Sequence, residues 1–592
     1  VRKAGPPDNR APRKRRWRGQ WEDVRAQLPR MGAPGSRSSE LHGPVGGDPE
    51  RFDLLTTGTG LGPAADHSTI AQLRHFFALR WMGTAGALFI ACGGWGAGAL
   101  PVVDNPYDRT LVGSVLGRML QASSALVFIG IGLLVLAWVG MAPFLGHRLP
   151  FRAKTSSAHP APRQRLVTAG LMWRTWAGWV LPLLFTAPLF TQDIYSYLAN
   201  GSLIVGGGDP YAGGPVEMLG AEHPLARSVP FIWANSPSPY GPVSLGWAAL
   251  ISWVTQDSTF WGVLAHRVLS VAGIIAAGWG IGRLACRCRV APATALWLGI
   301  LNPLALLHLV GGIHNEALML GMVLMGMEWA LRGIDKLGAQ SWGTLMREVL
   351  PWCAGSAVLI SCAGMVKVTG FIGLGFTGMA LARALYLRRG WRSWRAVLAV
   401  GVFQVLALAL SIGIVTVVTG IGLGWITNQG GAATIRSWMS ISNNIGVGAG
   451  YLGMVLGLGD HTDAMLVLTR YVCVSIAGLF MLRMLLATYR GAIHPIGGLG
   501  VSTLVLVLLF PVIHPWYMLW AVFPLAPWAN RHFFRSVVVG YSAFMSFSVL
   551  PRGMGLPPST VAAIYGLALA GFILVAGTWL VLLRRAGVRV LH

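Results

Sequence analysis

Asp193 is the first acid after a long apolar run that ends at Phe190. Asp193, Ser196, Tyr197 and Asn200 recur at i, i+3, i+4 and i+7, so a helix would place all four on one face. Ile194, Leu198 and Val205 fall on another, and three glycines before Asp209-Pro210-Tyr211 then turn the chain. An amphipathic piece fixed to the end of an apolar run is expected to lie along a membrane surface. That puts Asp193 at the boundary between water and lipid. A carboxylate there suits general-base work, taking the proton of a sugar hydroxyl that attacks a glycosyl phosphate. The departing phosphate needs cations to stabilise it. Lys367 and Arg436 are the candidates. A phosphate is already a good leaving group, so no general acid is required. A single displacement inverts the anomeric centre, whereas a double displacement would need a nucleophile as well.

Other polar residues flank apolar runs, where ionisable groups are costly and therefore functional candidates. They are Asp209 and Tyr211, Glu222 and His223, Tyr240, the run His314-Asn315-Glu316, Asn443 and Asn444, and His514 with Trp516 and Tyr517. Trp438 follows Arg436 in a Trp/Asn/Gly-rich loop. Few carboxylates, two or three cations and many aromatics suit a neutral polyhydroxyl substrate with one anionic group. Each residue also has a structural reading. Asp193 and the 314–316 run could cap helices, Asp209-Pro210 starts turns, and Lys367 could snorkel to the interface. The tryptophans could be an aromatic belt. His308 reads as a packing residue, and Arg174 and Arg267 as helix ties. No cofactor is implied. A divalent metal on Asp193, Glu316 and His314 stays open, with no spacing rule in its favour. Cys286-Arg-Cys288 has the wrong spacing for zinc, and no disulfide is expected among the six cysteines.

These residues need an apolar scaffold. Of 592 residues 54% are hydrophobic and 11% charged, with mean hydropathy +0.58. Soluble proteins carry about 25% charged residues, so this is read as an all-α polytopic membrane protein. The 78 glycines and 25 tryptophans agree with that reading. The net charge of +25 does not signal nucleic acid, because its cations are concentrated in the N-terminal tail and in short loops between apolar runs.

Residues 1–80 read as a basic, disordered cytoplasmic tail with no secretory signal, and 81–592 as the transmembrane domain. Apolar windows fall near 81–103, 123–145 and 169–190, with a basic loop between the last two. The positive-inside rule then puts 191–260 outside the cytoplasm. A Pro-led segment at 240–254 breaks parity and is expected to be interfacial or re-entrant. Further spans follow near 261–285, 291–313 and 316–331. The stretch 352–387 reads as a hairpin with Lys367 near its apex. The remaining runs bring the total to about 14 crossings with both termini cytoplasmic.

The ordered pieces DIYSYLANG, GGGDPYAGGP, SPSPYGP, NPLALLHLVGGIHNEALMLG, VKVTG, RSWMS, GLGDHT, HPIGGLG and HPWYMLWAVFPLAPWA resemble the GT-C glycosyltransferases. More closely, they are similar to the actinobacterial polyprenyl-phosphomannose-dependent α-1,6-mannosyltransferases of the MptB type. The resemblance covers about 101–527. It implies a multi-span bundle with juxtamembrane helices in the first large outer loop, in the plasma membrane with an extracytoplasmic active site. The implied donor is polyprenyl-phosphate mannose and the implied acceptor a phosphatidylinositol-anchored mannan, the precursor of lipomannan and lipoarabinomannan. The family's catalytic carboxylate maps onto Asp193. Two alternatives remain: a flippase for a lipid-linked sugar, and a transferase using polyprenyl-phosphoarabinose.

Overall fold

A computed structural model describes residues 67–145, 167–338, 341–429 and 436–586. Most of the expected basic tail and all of the basic loop before residue 167 lie outside the described residues. Every element among the described residues is helical. Eight helices are long and apolar enough to cross a membrane, and four shorter apolar helices accompany them. The protein is therefore a multi-pass membrane protein.

In chain order the helices are α1 His67–Ala97, α2 Leu120–Met141, α3 Ala169–Leu183, α4 Asp193–Val205, α5 Pro242–Thr255, α6 Thr259–Arg287, α7 Pro292–Leu298 and α8 Glu316–Lys336. The second half adds α9 Leu350–Gly364, α10 Ile372–Arg389, α11 Ser393–Thr419, α12 Ile441–Val455, α13 Thr462–Arg490 and α14 Pro495–Leu509. Then come α15 Leu519–Leu525, α16 His532–Met545 and α17 Pro558–Arg585. Only 11%, 17% and 6% of the most apolar windows of α11, α13 and α17 are buried. Their outward Leu and Val faces need a hydrocarbon solvent, which only a bilayer supplies.

Two expected spans take another form. The run at 169–190 is helical only to Leu183, with Pro182 in its last turn, and then unwinds. The run at 291–313 is not one helix. It breaks after α7 at Gly299 and resumes as a π-helical turn, Ala305–Gly311. Side chains throughout this piece are buried. Hydropathy reads burial in protein and burial in lipid alike, so the break left no mark in composition. Irregular backbone of this kind is tolerated at membrane depth only when protein surrounds it.

α4 also departs from the surface-lying helix expected. Residues 194–201 are all buried. Small residues allow this: a Cβ on Gly201 would strike the Ala248 carbonyl of α5. The α6–α8 crossing is equally close, since a Cβ on Gly273 would lie 2.6 Å from the backbone of Ala317. The 350–389 hairpin forms as expected from α9 and α10, with Lys367 at its apex.

Candidate active site

Two sharp bends build the site. Phe190 (φ 67°) and Ile313 (φ 58°) both take left-handed backbone, which is strained for a bulky residue and more so for a β-branched one. Three residues after each bend a carboxylate opens a helix: Asp193 begins α4 and Glu316 begins α8. The bends are tied together, as the Leu189 N–H donates to the Gly311 carbonyl at 3.1 Å. Arg267, 1% exposed, fastens both. It donates to the carbonyls of Leu184 (2.8 Å), Thr186 (2.6 Å), Ala187 (3.2 Å) and Val310 (3.2 Å). One guanidinium thus satisfies the carbonyls freed where α3 unwinds and where the π-helical turn ends. The turn between α16 and α17 supports the first bend. The Phe190 N–H donates to the Pro551 carbonyl at 2.7 Å. Gly553 (φ 73°) has no Cβ to strike the Phe190 carbonyl 2.7 Å away.

The run 314–316 fans out in three directions. His314 turns to Asp193, with Nδ1 3.7 Å from Oδ2. Asn315 turns to α5, its Nδ2 donating to Ser244 Oγ at 3.3 Å. Glu316 turns to the α9–α10 apex and accepts from Lys367 Nζ at 2.6 Å. Asp193 does not cap its helix, since Gln192 holds the cap position. Its Oδ1 accepts from Trp233 Nε1 at 3.1 Å, and its side chain keeps 20% exposure. Asp193 and Glu316 do not converge as a ligand set, because Glu316 is committed to Lys367. Among the described residues no three His, Cys, Asp or Glu side chains are placed to hold a metal ion.

Aromatic rings wall this centre. Trp516 stacks against His314 (4.1 Å between ring centres), His514 (4.5 Å) and His308 (4.8 Å). Lys367 Nζ lies 4.6 Å from the Tyr517 ring centre and 5.1 Å from that of Trp520, with the Tyr517 hydroxyl at 3.4 Å. Tyr197 and Tyr240 meet edge to face at 5.4 Å. Gly241 admits this segment against the backbone of Met365, two residues before Lys367.

Burial pushes the His514 imidazole down to about 4, aided by Lys367 and His314 and opposed by Asp193. Burial also lowers His314, with the nearby Glu316 and Asp193 carboxylates pulling the other way. Both rings are neutral at pH 7. Burial alone would lower the Lys367 ammonium too, but Glu316, Tyr517 and Tyr240 together outweigh it and the net shift is upward. The centre therefore holds two carboxylates and one ammonium.

The remaining candidates sit outside this centre. Asp209 is exposed and accepts the Tyr211 N–H at 2.9 Å, as a turn residue does. Tyr211 packs with Met365, Ile421 and Trp425, and its hydroxyl donates to the Tyr240 carbonyl at 3.0 Å. Arg436 is surface-exposed and pairs with Asp463 at 2.7 Å. Its neighbour Ser437 donates to the Ile513 carbonyl, beside His514. Trp438 is 69% exposed.

Sequence reading missed Trp233, Ser244, His266 and Arg552. The last is exposed in the turn held against Phe190 and Thr191. None follows a spacing rule: the folded chain brings Trp233 to Asp193, Ser244 to Asn315 and His266 to Tyr197.

A family model described as the α-(1→6)-mannopyranosyltransferase N-terminal domain matches residues 80–383, and one described as the MptB C-terminal domain matches 442–577. The chain is 54% identical over 585 residues to α-(1→6)-mannopyranosyltransferase B of Corynebacterium glutamicum, covering 97% of this chain and 95% of that protein. It is 38% identical over 505 residues to an α-(1→6)-mannopyranosyltransferase of Mycobacterium tuberculosis, covering 80% and 82%. No solved structure matches.

Proposed function

The chain belongs to the α-(1→6)-mannopyranosyltransferase family, and we propose that it is an inverting transferase using polyprenyl-phosphate mannose. The acceptor is the 6-hydroxyl of a phosphatidylinositol-anchored mannan, and the product is the α-1,6 backbone of lipomannan and lipoarabinomannan. The chain crosses the plasma membrane about 14 times, with both termini in the cytoplasm and the site on the outer side.

The observation that carries this reading is the convergence of Asp193 and Lys367 through the 314–316 run. One carboxylate with solvent access and one ammonium each abut a member of the 314–316 run, inside a wall of aromatic rings. Asp193 takes the proton of the acceptor hydroxyl as the acceptor oxygen attacks the anomeric carbon. The carbon–oxygen bond to phosphate breaks, and polyprenyl phosphate departs with that electron pair. Lys367 stabilises its growing charge with the hydrogen left over from Glu316 and Tyr517. Arg436, exposed on the loop whose Ser437 is tied beside His514, is the second cation offered to the departing phosphate. Tyr197, Tyr240, His314, Trp516 and Tyr517 orient the sugars. Trp233 and neutral His314 hold the Asp193 carboxylate without protonating it.

The test is Asp193→Asn. The variant is expected to fold, yet to transfer labelled mannose from polyprenyl-phosphate mannose at least about 100-fold more slowly, the low end for losing a general base. Wild-type turnover in D193N would remove the mechanism.

A further inference from the structure

α10 runs into α11 through Arg388-Arg389-Gly390-Trp391-Arg392-Ser393-Trp394-Arg395, a turn dense in arginine and tryptophan. Both helices are long and apolar enough to cross a membrane. The turn between them therefore lies where a bilayer's hydrocarbon gives way to headgroups. It is firmly built. Gly390 (φ 67°) ends α10 in left-handed backbone. Trp391 packs with Ala382, Ala396 and Val400, and the Tyr489 hydroxyl donates to Ser393 Oγ at 2.7 Å. Arg388 donates to the carbonyls of Ile334 and Leu337, and Arg389 to that of Gly338, so both are spent where α8 ends. Arg392 and Arg395 differ. They are exposed at i and i+3, and neither makes a hydrogen bond or ion pair among the described residues. Arg395 lies 5.3 Å from the centre of the Trp394 ring, which is 59% exposed. The sequence has no carboxylate between Glu348 and Asp460, so neither α10, α11 nor their turn supplies an acid.

We propose that this turn binds the phosphate headgroup of an anionic phospholipid. Arg392 and Arg395 hold the phosphate oxygens, which the planar fork of a guanidinium matches. Trp394 stands among the headgroups, the depth that an indole prefers. Leu387 and Leu398 face outward on either side of the turn, where the acyl chains of the same lipid cover them. A soluble anion would leave those leucines bare, and an acidic protein would have to displace the lipid that surrounds both spans. The positive-inside rule accounts for cations in such a loop. It does not call for a rigid turn that satisfies two of its arginines internally and leaves the other two open. The inference goes beyond the transferase reading and is independent of it, since it needs only that α10 and α11 span the bilayer.

The experiment titrates the purified full chain in detergent with phosphatidylglycerol or with phosphatidylcholine of matched acyl chains, and counts bound lipid by native mass spectrometry. Wild type is expected to hold phosphatidylglycerol the more tightly. Arg392→Gln/Arg395→Gln should weaken phosphatidylglycerol binding about 30-fold, from about 5-fold for each charge removed, and leave phosphatidylcholine binding unchanged. Arg395→Gln alone, at an exposed position, should lose about 5-fold and decides the matter if the double variant does not fold. Arg584→Gln/Arg585→Gln removes two exposed cations from the end of α17 and should leave the affinity as it was. Equal losses from the two pairs would make binding a property of net charge and overturn the site. Unchanged affinity in R392Q/R395Q, or no preference for phosphatidylglycerol in wild type, would overturn it as well. Displacement of the lipid by millimolar inorganic phosphate would assign these arginines to a soluble anion instead, and the lipid proposal would fall.

Discussion

Asp193 and Glu316 occupy equivalent places, each at the first residue of a helix and three residues after a left-handed bend, yet their surroundings give them different work. Glu316 is 3% exposed and spent on Lys367, whereas Asp193 keeps 20% exposure and touches only a neutral imidazole and an indole N–H. Removing one partner of a buried pair costs more than removing both, because the survivor is stranded. Glu316→Gln is therefore expected to destabilise the protein by about 3–5 kcal/mol, read as a lower unfolding temperature in detergent. The double variant Glu316→Gln/Lys367→Met should recover most of that stability and none of the transfer. If the double variant stays as unstable as E316Q, the pair is not what holds this corner. His514 supplies a second test. Its folded value of about 4 lies below the ordinary 6.5, so between those values the unfolded chain binds the extra proton. Asp193, Glu316, Lys367 and His314 face it. Stability should be full above about pH 6.5 and decline as pH falls towards 4. His514→Gln should flatten that decline in thermal unfolding measured across the same window, and an unchanged slope would assign it to other groups.

The elements that hold these side chains depend on Arg267 more than on any helix of the site. Its guanidinium holds four carbonyls from the end of α3 and the π-helical turn. Without it they are buried unsatisfied, at roughly 1–3 kcal/mol each. Arg267→Met should yield protein that aggregates or elutes as a broad peak on size exclusion, whereas a monodisperse, active variant would show the bends hold themselves. Sequence reading took Arg267 as a helix tie but could not see that it ties the backbone leading to both carboxylates. The hairpin around Lys367 was legible because charge at both ends of one apolar run forces a return. α5 forms as a separate short helix with the proline at its start. The break at 299–311 was not legible, since a fully buried irregular piece is as apolar as a span. The burial of α4 was hidden for a similar reason: its polar residues face protein, and alternation cannot tell protein from water. Arg436 was expected beside Lys367 because both are lone cations near apolar runs. Its pairing with Asp463 depends on how α12 and α13 fold back, which no local pattern reports.

Across the whole molecule, polar groups gather at the two ends of α8 and are sparse between them. At one end stand Glu316, His314 and Asp193. At the other Arg287 pairs with Glu328 at 2.6 Å and Asp335 at 2.5 Å, and Arg332 joins Glu328 at 2.9 Å. From Glu316 to Glu328 the helix rises about 18 Å, a little over half the thickness of a bilayer's hydrocarbon. A carrier moving a lipid-linked sugar would need polar side chains along the path between, whereas buried positions from Ala317 to Met327 on α8 are apolar or glycine. The arrangement suits chemistry at one face. Sidedness is then a sharp prediction, measured with single cysteines in a background where exposed Cys92 is replaced by serine. A cysteine at Glu222, whose side chain is 94% exposed near α4, should react with a membrane-impermeant maleimide in intact cells. One at Arg490, at the basic end of α13, should react only after permeabilisation. The reverse pattern would put Asp193 in the cytoplasm, away from the outer face on which the proposed reaction depends. Labelling of Glu222→Cys from both sides would instead favour a protein that alternates its access.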